Sequence, residues 1–133
     1  MTEGTPPEVS IVIPVYDEED NIQPLHAAIC SAMEGIPFEV LYVNDGSRDR
    51  SAESLDALSQ TDSRARIIHF VRNYGQTAAL TAGIRHAQAP LLVTMDADLQ
   101  NDPADIPQML THIGDYDVVC GWRKDRKDSF LSR

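Results

Sequence analysis

Two aspartates, Asp96 and Asp98, stand two residues apart directly after the apolar run at residues 91–95, in the stretch Thr94-Met95-Asp96-Ala97-Asp98-Leu99-Gln100. Bare like charges at that spacing repel and raise one another's proton affinity. A divalent cation resolves the conflict, and an all-oxygen donor set suits Mg²⁺ or Mn²⁺, ions that keep open positions for substrate phosphates. An Asp-x-Asp pair is common by chance, and its position at a predicted strand end is what distinguishes this one. Asp45, in VNDGS, also follows an apolar run. Its carboxylate can accept hydrogen bonds from a nucleobase N–H, and Gly46 allows close backbone approach. An Asx-turn explains the same residues equally well. Pro14-Val15-Tyr16 would stiffen a first loop and present an aromatic face. Arg72 and Arg123 are candidates for phosphate pairing through the guanidinium fork.

Those residues need elements to position them, and the hydrophobic pattern supplies these. Residues 9–15 (VSIVIPV) form a β-branched run that predicts a buried strand. Asp17, Glu18, Glu19 and Asp20 suit the start of a helix, where carboxylates meet the positive dipole end. Ile22, Leu25, Ile29, Met33 and Ile36 continue it at helical spacing until Gly35 and Pro37 end it. Residues 38–43, 66–71, 91–95 and 116–120 predict four further strands. Residues 51–58 and 77–87 predict helices, as does a segment opened by Asp102 as N-cap with Pro103 at the first position. Strands alternating with helices predict an α/β domain around a mostly parallel sheet with helices on both faces. Ligands of such sheets bind beyond the carboxyl ends of the strands. There the sequence places Tyr16 and Glu18, then Asp45, then Arg72, Asn73 and Gln76, then Asp96, Asp98 and Gln100, then Arg123.

Other chemistry loses support. The 133 residues carry 21 acidic and 11 basic side chains, a net charge of −10. Five basic residues and two acids fall in residues 122–133, so the preceding body carries −13 and no lysine. Such a body disfavours nucleic acid as a partner, because phosphate affinity needs clustered Lys and Arg. No apolar run reaches the 18–20 residues or so of a membrane span. The leading MTEGTPPE has no signal-peptide pattern, which predicts a cytoplasmic chain. Cys30 and Cys120 form no Cys-x-x-Cys pair and are read as core residues without a histidine at metal-ligand spacing. His26, His69, His86 and His112 are read as structural or surface residues outside any ligand cluster. Glu53, Asp56 and Asp62 are read as solvating surface. The phosphate loop, the dinucleotide fingerprint and the hydrolase nucleophile elbow are all missing from the sequence.

The segments VSIVIPVYDEEDNI, EVLYVNDGSRDRS, RNYGQTAALTAGI, VTMDADLQNDP and YDVVCGWRKDRKDS follow one another in order. Together they resemble family 2 of the inverting glycosyltransferases, with the GT-A fold. The branch they resemble is that of the polyprenyl-phosphate glycosyltransferases, similar to dolichol-phosphate mannose synthase and bacterial undecaprenyl-phosphate sugar transferases. The resemblance covers about residues 8–133. It implies that Pro14, Tyr16 and Glu18 hold the nucleoside of a UDP- or GDP-sugar and that Asp45 reads its base. It implies that Asp96 lies near the ribose and metal, that Asp98 and Gln100 bind Mg²⁺ or Mn²⁺, and that Arg123 meets the donor phosphates. Arg72, Asn73 and Gln76 would line the donor site. Asp96, Asp98 and Arg123 are thus the expected catalytic residues, with a polyprenyl phosphate as acceptor.

Members of that family continue well past this length. The resemblance therefore implies a GT-A fold truncated at its C-terminus. Residues 1–7 would be a flexible lead, 8–121 the nucleotide-sugar-binding domain, and 122–133 a basic segment leading to an acceptor part at the cytoplasmic face of the membrane. On that reading the chain binds donor and has little transfer activity by itself. A binding module without catalysis, a sugar-1-phosphate nucleotidyltransferase and a phosphoacceptor signalling domain are the alternatives. The nucleotidyltransferase would need a glycine- and lysine-rich loop that PVYDEED lacks. The sequence leaves the donor base and a homo-oligomer open.

Overall fold

A computed structural model of the protein describes residues 5–99, 102–111, 118–120 and 131–132. Its elements run β1 (Val9–Val15), α1 (Ile22–Ala32), β2 (Phe38–Asn44), α2 (Ser51–Thr61), β3 (Ala65–His69), α3 (Gln76–His86) and β4 (Leu91–Thr94). A short 3-10 turn (Pro103–Asp105), α4 (Ile106–Leu110), β5 (Val118–Cys120) and β6 (Leu131–Ser132) follow. They form one six-stranded sheet in the order β3-β2-β1-β4-β5-β6. All pairings are parallel except the last, β5 with β6. The expected α/β architecture with a mostly parallel sheet is present.

Alternation along β1 decides what each face packs against. Val9, Ile11, Ile13 and Val15 enter the main core with Ile22, Leu25, Ile29 and Met33 of α1, Leu55 and Leu58 of α2, and Ile106 and Met109 of α4. Val12, between them, faces α3 instead. There Gly83 lets the helix lie so close that an added Cβ would stand 2.4 Å from a Val12 methyl and 3.3 Å from a Val43 methyl. Among the described residues, helices therefore cover both faces, a thick layer on one and the close-packed α3 on the other.

At the amino end of the sheet Glu39, fully buried, holds the frame together. It accepts from the Ser10 hydroxyl (2.6 Å), from Arg66 (2.8 Å) and from the Gln88 N–H (2.7 Å). The Ser10 hydroxyl in turn accepts from the Ala89 N–H. This network ties β1, β2 and β3 to the segment that leaves α3, and its charge is balanced by the Arg66 ion pair.

Several boundaries differ from the expectation. Acids 17–20 do not open α1, whose first turn holds no acidic residue. Three of them instead cross to the β2–α2 loop. Ile36 lies beyond α1, which ends before a left-handed Gly35 at φ +84°. Strand β3 ends at His69, and Val71, expected within it, is 90% exposed. Helix α2 runs three residues past 58. Asp102 does cap the turn that follows, accepting from the Ala104 N–H at 3.0 Å. Leu131–Ser132, expected in the basic C-terminal segment, is the antiparallel edge strand. The expected strand residues 116–117 and helix residue Ile113 lie outside the described residues.

Candidate functional site

Strand order reverses at β1: the chain moves outward on one side to β2 and β3, then returns to place β4 on the other. Beyond the carboxyl ends of β1 and β4 this reversal opens a crevice, the usual ligand position of such sheets. A cleft of about 210 Å³ sits there. Pro14, Val15, Tyr16 and Glu18 line it from the β1 end, Asp45 from the end of β2, Gln76 from the start of α3, and Asp96, Ala97 and Asp98 from the end of β4.

The Asp-x-Asp pair owes its aim to the residues between. Met95 and Ala97 are 5% and 3% exposed and belong to the core, so alternation leaves the half-buried Asp96 and Asp98 on the cleft side. The Met95 N–H donates to the Val12 carbonyl at 3.1 Å and fixes the first of them against β1. The Gln76 side chain reaches from α3 to an Asp96 oxygen at 3.4 Å. Glu18 completes a cluster of three carboxylates. Its proton affinity is raised, first by burial and then by the charges of Asp98, Asp49 and Asp96, against a hydrogen bond from Asn21 that favours the anion. Among the described residues the cleft thus concentrates negative charge on carboxylate oxygens.

The other acids of the first loop do a different job. Asp17 Oδ1 accepts from the N–H groups of Arg48 (2.7 Å) and Asp49 (3.3 Å), and Glu19 accepts from the Arg50 N–H (2.9 Å). Return bonds run from the N–H groups of Asp17, Glu18 and Glu19 to Ser47, Ser51 and Asp49. These bonds lace the β1–α1 loop to the β2–α2 loop. Arg48 donates to the Tyr16 hydroxyl at 3.2 Å, which steadies the ring at the mouth of the cleft.

Asp45 is 4% exposed and already engaged. Its carboxylate accepts from the Tyr74 N–H (2.7 Å), the Gly75 N–H (3.0 Å) and the Asn73 side chain (3.2 Å). Gly46 next to it has φ +70°, and a Cβ there would stand 2.2 Å from the Arg72 carbonyl carbon. Residues 72–75 therefore lie directly on the β2 end and deliver Gln76 to the cleft. Asn73 is part of this fastening and Arg72 stacks on the Tyr74 ring at 4.9 Å. Neither lines the cleft. Gln100 and Arg123 lie outside the described residues.

Sequence reasoning missed one group altogether. His26 and Cys30, one turn apart on α1, meet Asp62 just past α2, with ligand-type atoms all within 4.8 Å of one another. The reading of Cys30 as having no histidine at metal-ligand spacing fails because spacing of four residues places both side chains on one helix face. The reading of Asp62 as solvating surface fails because His26 (2.8 Å) and the Arg64 guanidinium (2.9 and 3.0 Å) hold it. Asp56 is exposed, as expected of a solvating surface residue, and pairs there with His69 at 2.8 Å.

Comparison with known proteins agrees with this geometry. Residues 10–133 match the model of glycosyl transferase family 2. A dodecaprenyl-phosphate galacturonate synthase of Rhizobium johnstonii is 41% identical over 131 residues, 95% of this chain and 39% of that protein. An undecaprenyl-phosphate 4-deoxy-4-formamido-L-arabinose transferase of Edwardsiella ictaluri is 45% identical over 130 residues, 94% of this chain and 40% of that protein. The chain thus spans about two-fifths of the length of these curated relatives. Among solved structures, the mannosyltransferase PcManGT of Pyrobaculum calidifontis, in complex with GDP-Man and Mn²⁺, superposes with a TM-score of 0.71 at 22% identity. It covers 84% of this chain and 33% of that one. S. aureus TarS 1-349 in complex with UDP gives 0.65 at 18% identity over 82% of this chain and 32% of that one. At such identities the two structures speak for the fold alone, and the fold is GT-A. A family model spanning nearly the whole chain and relatives above 40% identity make it a member of glycosyl transferase family 2.

Proposed function

We propose that the cleft between the β1 and β4 ends binds the nucleoside diphosphate of a UDP- or GDP-sugar together with Mg²⁺ or Mn²⁺. We propose further that the parent protein passes the sugar to a polyprenyl phosphate with inversion. The observation that carries this is the convergence of Glu18, Asp96 and Asp98 on one cleft at the reversal of strand order. Burial, and after it the charges of Asp98, Asp49 and Asp96, raises the Glu18 proton affinity, and the oxygen donor set fits a hard divalent cation. Asp98, with Gln100, would hold the ion and Asp96 would lie near the ribose and the ion. A bound ion supplies charge neutralisation on the leaving diphosphate.

The chain's own groups do the rest. Tyr16 and Pro14 offer an apolar wall to the base. Asp45 Oδ1 accepts one bond from the 72–75 segment and keeps a lone pair for a base N–H, so it can fasten that segment and read the base together. Gln76 orients Asp96. Arg72 and Asn73 support the donor site through the loop they belong to, and Arg123 pairs with donor phosphate. In the transfer, an acceptor phosphate oxygen bonds to the anomeric carbon as the bond to the diphosphate breaks. That oxygen is ionised at neutral pH, so no general base is required of the protein.

The names of the relatives in hand, both polyprenyl-phosphate sugar transferases or synthases, favour that acceptor. A cytoplasmic location at the membrane face is part of the same proposal. No described helix is long and apolar enough to cross a membrane. Calorimetric titration of UDP and GDP with and without Mn²⁺ tests the donor site, with transfer to polyprenyl phosphate measured alongside. Metal-dependent nucleotide binding with little transfer by these 133 residues is expected. Binding that survives both Asp96→Ala and Asp98→Ala would overturn it.

A further inference from the structure

We infer that His26, Cys30 and Asp62 form a second metal site, separate from the donor cleft and chemically unlike it, that takes Zn²⁺. The three residues sit where α1 and the end of α2 meet, on the face of the sheet that carries the main core. His26 is 5% exposed and its ring is fixed on both sides: Nδ1 faces the Tyr42 hydroxyl at 2.6 Å and Nε2 faces Asp62 Oδ2 at 2.8 Å. Burial holds the Tyr42 hydroxyl protonated far beyond neutral pH. A ligating imidazole commonly has this arrangement, with one nitrogen held by an outer partner and the other directed at the ion.

The distance between Cys30 and Asp62 fits a tetrahedral ion. Cys30 Sγ lies 3.6 Å from Asp62 Oδ2. Zinc bond lengths of about 2.3 Å to sulfur and 2.0 Å to oxygen put two such ligands roughly 3.5 Å apart. The 2.8 Å contact between His26 and Asp62 has to open by about half an ångström as the ion enters, and the imidazole proton then sits on Nδ1 and is donated to the Tyr42 oxygen. Asp62 is prepared for the change. Its Oδ1 is held by the Arg64 N–H and Nε (3.0 and 2.9 Å), while Oδ2 accepts from Arg64 Nη2 (3.0 Å) and also faces His26 and Cys30, which makes Oδ2 the oxygen nearest the ion. Arg64 also lies 3.5 Å from Cys30 Sγ, where its charge favours a thiolate, and it is braced over the Phe38 ring at 4.5 Å. Capture of the ion displaces the thiol proton of Cys30.

The fourth position faces outward. Cys30 and Arg64 both line an open cleft of about 550 Å³ beside Gly35, Pro37 and Phe38, from which water can complete the set. One thiolate and one carboxylate offset the charge of the dication, and the Arg64 guanidinium beside them leaves the site one positive charge in excess. The soft sulfur and the imidazole select zinc over magnesium, whereas the all-oxygen donor cleft does the reverse. Zinc at this point fastens α1 to the end of α2 and stiffens the side of the fold that carries the β1–α1 loop.

Cobalt is the probe, because its spectrum reports a thiolate ligand directly. Added to the reduced chain, one equivalent of Co²⁺ is expected to give a thiolate-to-cobalt charge-transfer band that Zn²⁺ abolishes. The band is lost in Cys30→Ser and retained in Cys120→Ser and in Asp98→Asn. Tyr42→Phe, which removes the outer partner of His26, weakens binding by about tenfold. A second measurement needs no variant: Zn²⁺ slows alkylation of Cys30 in the unmodified chain, read by peptide mapping. The absence of a thiolate band, a band that depends on Cys120 instead, or Cys30 alkylation unchanged by Zn²⁺ would each overturn the site.

Discussion

Asp98 and Asp62 are both half-buried carboxylates, yet their neighbours differ. Asp98 sits among other acids, and its proposed task is to hold a cation. Asp98→Asn keeps the shape and removes the charge, so metal-dependent nucleotide affinity is expected to fall by at least about tenfold, the lower end of the cost for disturbing a metal's partners. Calorimetry with and without Mn²⁺ reads this. Asp62 sits among hydrogen-bond donors, chiefly Arg64 and then His26, which hold its carboxyl well below the ordinary value. The native state therefore binds that proton less readily than the unfolded chain. The stabilisation is complete above the unfolded value of about 3.9 and is lost as pH falls through the native one. Asp62→Asn is accordingly expected to lower the melting temperature at pH 7, and the deficit to shrink as both proteins are taken below about pH 4. A deficit that stays constant over this range would show that the charge of Asp62 contributes nothing.

At this scale the sequence was legible where a residue's partners lie within its own segment. The aim of Asp96 and Asp98 follows from their alternation with Met95 and Ala97. The fastening role of Asp45 was not legible, because its main partners are backbone N–H groups 29 and 30 residues away, which leave no side-chain signature. Asp62 and His26, 36 residues apart, escaped for the same reason. Acids 17–20 were misread because a local rule, carboxylates at a helix start, competed with long-range bonds to the facing loop and lost.

Elements were easier to read than their ends. The β-branched runs located the buried strands, since residues apolar on both faces of a sheet fit few other positions. What ends a strand is tertiary: residues 70–75 leave β3 because they are pulled onto Asp45 and Gly46. Two glycines carry the element-scale predictions. Gly83→Ala forces α3 away from Val12 and is expected to cost about 1–3 kcal/mol in chemical denaturation, the usual cost of overpacking. Gly46→Ala meets both a left-handed φ and the backbone of residues 72–73, so the larger loss is expected there. Asp45→Ala leaves that backbone path open but releases the Tyr74 and Gly75 amides. Their hydrogen exchange should accelerate, while the amides of the β1–β2 ladder, measured in the same sample, stay protected. Unchanged exchange at Tyr74 and Gly75 would separate Asp45 from the positioning of Gln76.

Across the whole molecule the two ends of the sheet divide the work. The amino end is closed by the buried Ser10–Glu39–Arg66 network, whose partners are all internal. The carboxyl end gathers the acids of three strands around a cleft at the reversal of strand order. The net charge of −10 is therefore unevenly spent: part of it laces loops, part answers Arg64 and Arg66, and part is concentrated where a cation and a diphosphate would meet. That last placement is the centre of the account. Paramagnetic broadening by Mn²⁺, followed by NMR in the presence of UDP or GDP, tests it most directly. Broadening centred on the amides of Tyr16, Glu18, Gln76, Ala97 and Asp98, with Glu39 and Gln88 at the far end unaffected, is the predicted result. Nucleotide that fails to bind, or Mn²⁺ broadening centred away from the β1 and β4 ends, would contradict it.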